Sequence, residues 1–117
     1  MGKVYSYSPS QDLISKVCRA LGHPARVAII EAIAKEKDCV NGRVVNVAPI
    51  LYPTVLNHLK GLNKAGLIKG NVNSSKDLSY CVDWNILEEF KILFDAMYEE
   101  IKLNRAQVIL QNGKCTK

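Results

Sequence analysis

The segment from Pro24 to about Lys35 constrains this chain more than any other. Val27, Ile29, Ile30 and Ile33, set among alanines, make a helix that is apolar nearly all round. Such a helix cannot lie on a surface with half its circumference in water. It belongs at the centre of a core, covered on several sides by other elements. In 117 residues there is room for one such core, so residues 1–117 are expected to form a single domain, with 1–8 and 112–117 as flexible ends.

The covering elements can be read on either side. Ser8 is placed to cap a first helix, Pro9 suits its first position, and Gln11 stands where a capping-box partner belongs. Leu13, Ile14, Val17 and Leu21 then recur at helical spacing up to Gly22. After the central helix, Gly42 to Val47 reads as a short helix closed by Pro49. A second helical segment runs from about Pro53 to Ala65 and is stopped by Gly66. Two helices joined by a tight break predict a helix-turn-helix. Leu67 to Val72 is a candidate strand and 73–77 a polar turn. Leu78, Tyr80 and Val82 then alternate with Ser79 and Cys81 as a half-buried strand. The last helix, Ile86 to Gln111, is capped by Asp83 or Asn85 and carries an apolar stripe of Leu87, Phe90, Phe94, Met97, Tyr98 and Ile101. The expected fold is therefore mainly α with a small β-hairpin, a winged helix-turn-helix with additional N- and C-terminal helices.

The helix from Pro53 to Ala65 carries the functional argument. At 100° per residue, Val55, Leu59 and Leu62 face the core, while Pro53, Asn57, Lys60 and Lys64 face outward, with Leu56 and Asn63 at the border. The outward face holds amides and ammonium groups and no acid. Asparagine can read adenine in a major groove, and lysine can bind phosphate or guanine. Lys69 and Lys76, on and beside the hairpin, can add contacts to the DNA backbone. An ordinary solvated helix face has a similar composition; the tight turn before it and the hairpin after it favour the DNA reading. A net charge of +5 and a pI near 9.1 suit an anionic partner.

Two longer stretches resemble the ArsR/SmtB family of bacterial winged-helix repressors: Ala20 to Arg26 (ALGHPAR), and Thr54 to Lys60 (TVLNHLK) continuing through Leu62 and Ala65 to Ile68. The likeness covers about Leu13 to Phe94. It implies a cytoplasmic homodimer built from the first and last helices, through Leu13, Val17, Phe90, Phe94, Met97, Tyr98 and Ile101. It also implies a helix in the major groove of double-stranded DNA, contacting it through Tyr52, Pro53, Thr54, Asn57, His58, Lys60, Lys64 and Lys76. The chain departs from the family pattern in two places. Leu51, Tyr52 and Pro53 stand where the family's recognition helix begins with small or polar residues, and Leu56 replaces a common serine, which implies an altered operator or weaker binding. Where many members hold a soft metal with two cysteines one residue apart, this chain has Cys39-Val40-Asn41, so one thiolate is left, and asparagine is a poor ligand for such metals. The last helix contains no histidine, so the family's other zinc site is also missing. No metal and no cofactor are expected. His23, at a helix junction, reads as structural, and His58 as either a phosphate contact or core-edge packing rather than a metal ligand.

The four cysteines, Cys18, Cys39, Cys81 and Cys115, form no Cys-x-x-Cys pair and read as free thiols of a reduced compartment. Cys39, beside Lys37 and near a helix start, is a candidate redox thiol with Cys18 or Cys115 as partner. Any inducer, redox or small-molecule, is unidentified. The polar start, Met1 to Ser10, has no signal-peptide core, and no apolar run is long enough for a bilayer. No phosphate loop, nucleophile–base signature or positioned carboxylate pair marks an enzyme. Two readings remain: a dimeric, sequence-specific DNA-binding repressor, or a winged-helix module that has exchanged DNA for a protein partner, with Tyr52 and Leu56 as its anchors.

Overall fold

A computed structural model of the chain describes residues 6–41, 52–72 and 78–112, the side chains of Tyr52, Pro53 and Asn112 excepted. Its elements are α1 (Pro9–Ala20), α2 (Pro24–Lys35), β1 (Cys39–Asn41), α3 (Tyr52–Lys64), β2 (Ile68–Asn71), β3 (Ser79–Val82) and α4 (Trp84–Asn112). The strands form one antiparallel sheet in the order β1-β3-β2. The described elements are those of a winged helix-turn-helix, with α3 leading into a wing of β2 and β3. The short helix expected over Gly42 to Val47, the turn at 73–77, Lys76 and Cys115 lie outside the described residues.

Local chemistry sets most boundaries. Ser8 Oγ accepts from the Gln11 amide at 3.1 Å, Gln11 Oε1 accepts from the Ser8 amide at 2.9 Å, and Pro9 opens the helix. His23 caps α2, its Nδ1 accepting from the Ala25 amide at 3.0 Å ahead of Pro24. Gly66 ends α3 at φ +85°, and the chain closes there with Leu67 N–H donating to the Leu62 carbonyl and Gly66 N–H to that of Asn63, each at 3.0 Å. This pair of bonds is the Schellman closure that glycine allows. The Asp83 carboxylate, rather than Asn85, caps α4 by accepting from the amides of Asn85 and Ile86.

The core forms where α2 meets α3 and the sheet. Ile29 and Ile33 are fully buried, together with Val17 from α1, Leu59 and Leu62 from α3, and Leu67. Leu78, Tyr80 and Val82 turn inward as the alternation requires. Burying a side chain such as Leu59 stabilises the fold by roughly 1.5–3 kcal/mol. Among the described residues, α4 packs on this core through Ile86, Leu87 and Phe90.

One expectation is extended and two need correction. The expected hairpin of β2 and β3 is present and gains a third strand, because β1 pairs with the far edge of β3, Cys39 opposite Cys81 and Asn41 opposite Ser79. That register joins Cys39 to Cys81 in a disulfide, so these two are not free thiols and Cys39 is not the partner of Cys18 or Cys115. Cys18 is free and exposed. Val17, expected at a dimer interface, is 0% exposed within the single chain and has no surface to offer a second copy.

Candidate nucleic-acid interface

α3 is held from below and open above. Val55, Leu59 and Leu62 anchor its inner side, and Asn63 Nδ2 donates to the Ile68 carbonyl at 3.1 Å, tying the helix to the wing. Thr54, Asn57, Lys60 and Lys64 are all exposed, as is Lys69 on β2. Leu56 is half-buried and packs on the core. α3 is described from Tyr52 onward. The side chains of Tyr52 and Pro53 lie outside the described residues, as does Lys76.

His58 does not belong to the outward face. Lying about 100° round the helix from Asn57, it is turned inward and 9% exposed. Its Nδ1 accepts from Arg26 Nε at 3.1 Å, so the imidazole proton sits on Nε2 and the ring is neutral. Its pKa is held below the usual histidine value, first by burial and then by the neighbouring His23 and the Arg26 cation. The His23 ring lies 4.6 Å away, centroid to centroid. Arg26 also donates through Nη1 to the Ala20 carbonyl at 3.2 Å. The cluster locks the α1–α2 junction to α3, a bond between residues 32 apart that no local pattern announces.

The charge distribution favours this face more strongly than the helix alone suggested. Between Asp38 and Asp77 the sequence has no acidic residue, yet it carries Arg43, Lys60, Lys64, Lys69 and Lys76. Outside that stretch acids and bases balance at eleven each, so the whole net charge of +5 belongs to the segment containing α3 and β2. A count of acids along the chain would have found it. A local excess of positive charge of this kind attracts polyanions and raises their association rates.

The residues expected to mediate dimerisation divide into two groups. Leu13 and Phe90 pack partly on the core. Phe94, Tyr98 and Ile101 are 39%, 55% and 58% exposed, and Met97 is half-buried. Sequence reasoning missed further apolar residues exposed on α4, namely Ile92, Leu103, Val108 and Leu110. Among the described residues no group of three or more histidine, cysteine or acidic side chains is arranged to hold a metal, and no helix is long and apolar enough to cross a membrane.

No family model matches the chain. A curated protein of Methanocaldococcus jannaschii, described as an uncharacterized HTH-type transcriptional regulator, is 25% identical to it over 79 residues, 68% of this chain and 89% of that protein. The likeness therefore spans most of both chains and agrees with the helix-turn-helix architecture.

Proposed function

We propose that this chain is a DNA-binding transcription regulator, and more narrowly a homodimeric repressor that reads double-stranded DNA with α3. The observation that carries the reading is the acid-free outer face of α3, with Thr54, Asn57, Lys60 and Lys64 exposed on a helix fixed to the core and to the wing. The similarity to a protein described as an HTH-type transcriptional regulator supports the same class, a regulator rather than a catalyst. Lys60, Lys64 and the wing lysines neutralise phosphates, and Asn57 reads a base edge. Tyr52 and Pro53 enter the groove first and give the operator its particular sequence. The protein works in the cytoplasm beside its DNA, without a metal.

Dimerisation uses the apolar side of α4 around Phe94, Met97, Tyr98 and Ile101, with Leu13 of α1 at its edge. A two-fold dimer sets two copies of α3 on one face of the duplex, about 10–10.5 bp apart or a multiple of that. Repression follows from occupying promoter DNA. Selection of bound sequences from random duplexes by the purified protein tests this directly. An enriched inverted repeat with that spacing is the expected result. Failure to enrich any sequence, with no duplex binding even at low salt, would favour the protein-docking alternative.

A further inference from the structure

Beside the outward face of α3 lies a second feature, formed by three helices and absent from any local reading of the sequence. A cleft of about 480 Å³ opens where the ends of α1 and α3 meet the start of α2. Lys16 and Arg19 line it from α1, Arg26 from α2 and Lys64 from α3, and among the described residues no carboxylate lines it. Among the described residues none of the four pairs with an acid. Lysines and arginines in the last turns of helices are common because they suit the helix dipole. That accounts for Arg19 and Lys64 one at a time, but not for four cations converging on one open space.

Arg26 makes the difference. Its guanidinium is fixed by two neutral acceptors, His58 Nδ1 and the Ala20 carbonyl, which hold its plane but leave its charge uncompensated. It lies flat against α3 at Gly61, where a Cβ would fall within 2.5–2.7 Å of its Cζ and Nη atoms. The absence of a side chain at 61 is what admits it. A pre-organised guanidinium with free donors, flanked by mobile cations, is the arrangement that recognises an oxyanion.

We propose that this cleft is a phosphate-binding site, with Arg26 as its fixed donor and Lys16, Arg19 and Lys64 closing on the phosphate oxygens. The phosphate belongs either to a free phosphorylated ligand or to the DNA backbone running past the flank of α3; the second source rests on the function proposed above, the first does not.

The test uses the full chain and a Lys16→Ala/Arg19→Ala variant, which removes two exposed side chains and leaves the Arg26 contacts in place. Lys102→Ala/Arg105→Ala, an equal loss of charge on α4, is the control. Inorganic pyrophosphate is titrated calorimetrically, and duplex affinity is measured across a salt series. Saturable pyrophosphate binding that weakens about tenfold or more in the cleft variant, but not in the control, establishes a site for a free phosphorylated ligand. No pyrophosphate binding, together with a duplex salt slope reduced by about 0.9 in the cleft variant alone, establishes a backbone phosphate. If neither measurement separates the cleft variant from the control, the proposal is wrong, whatever Lys60 and Asn57 do for DNA binding.

Discussion

α3 sorts its apolar and polar residues onto opposite sides, whereas α4 carries apolar residues around its circumference, and the two leave opposite kinds of surface uncovered. α3 buries Val55, Leu59 and Leu62 and presents lysine, asparagine and threonine to solvent. α4 spends its first turns on the core and then runs on. From Tyr98 to Gln111 every side chain but Ile109 is exposed, among them Ile101, Leu103, Val108 and Leu110. Water satisfies the first surface. It does not satisfy the second, since each Å² of apolar area left wet forgoes roughly 25 cal/mol. Ile101 and Val108 lie on one side of the helix and Leu103 and Leu110 on the other, and large apolar exposure on an otherwise folded chain marks an interaction surface. The charges diverge in the same way: α4 carries five acids against Lys91, Lys102 and Arg105, whereas α3 carries none. A polyanion is attracted to one helix and repelled by the other, which separates the proposed DNA-reading surface from the proposed self-associating one on a small chain.

That separation can be broken experimentally, and the largest effect is expected on the α3 side. The Cys39–Cys81 bond closes a 42-residue span that contains all of α3 and β2. Reducing it is expected to cost about 4 kcal/mol by the loop-entropy estimate. Thermal unfolding with and without reductant measures this, and a Cys39→Ala/Cys81→Ala variant should no longer respond. Dissociation of the proposed α4 dimer should be insensitive to reductant in the range where the fold survives. A loss of dimer under mild reduction would join the two regions that the comparison separates.

A smaller effect, of about 2 kcal/mol or more in association, is expected for Ile101→Asp, which places a charge on the exposed seam of α4. Light scattering should show the dimer replaced by monomer, while the melting temperature at high dilution, where the wild type is also monomeric, stays unchanged. A variant that remains dimeric would move the interface elsewhere.

The smallest effect is pH-dependent and confined to the α2–α3 latch. His58 has a folded pKa below its unfolded value of about 6.5, so the unfolded chain takes up its proton first. Its contribution to stability is therefore complete above pH 6.5 and is lost as pH falls through the folded value. His58→Gln retains an acceptor for Arg26 and should flatten the acid side of the stability profile. α4 contains no histidine, so its dimer should be indifferent to the same pH range.

Much of the fold was legible because it is written locally. Ser8, Pro9 and Gln11 specify one helix start, Gly66 one helix end, and the alternation of Leu78, Tyr80 and Val82 the inward face of the wing. β1 was not legible. Three residues have no period of their own, and Cys39 to Asn41 become a strand only because β3 offers an edge 42 residues away. The disulfide was missed for the same reason, since spacing alone gave no cause to join Cys39 to Cys81. The outward residues of α3 followed from a 100° projection, which also placed Val55, Leu59 and Leu62 inside. For His58 core-edge packing could be named but not chosen over a phosphate contact, because its inward turn depends on Arg26, and Val17 was misassigned because a single helix cannot tell which neighbour covers it. The cationic cleft draws on three helices and emerges only once they are assembled.

The dependence of duplex affinity on salt, compared between the wild type and Lys60→Ala/Lys64→Ala, is the most direct test of α3 as the DNA-reading surface. A steep log–log slope, about 0.9 per phosphate neutralised, that falls by nearly two such steps in the variant is the predicted result, with folding stability unchanged within about 0.5 kcal/mol. A shallow slope that the two substitutions leave where it was would contradict the account.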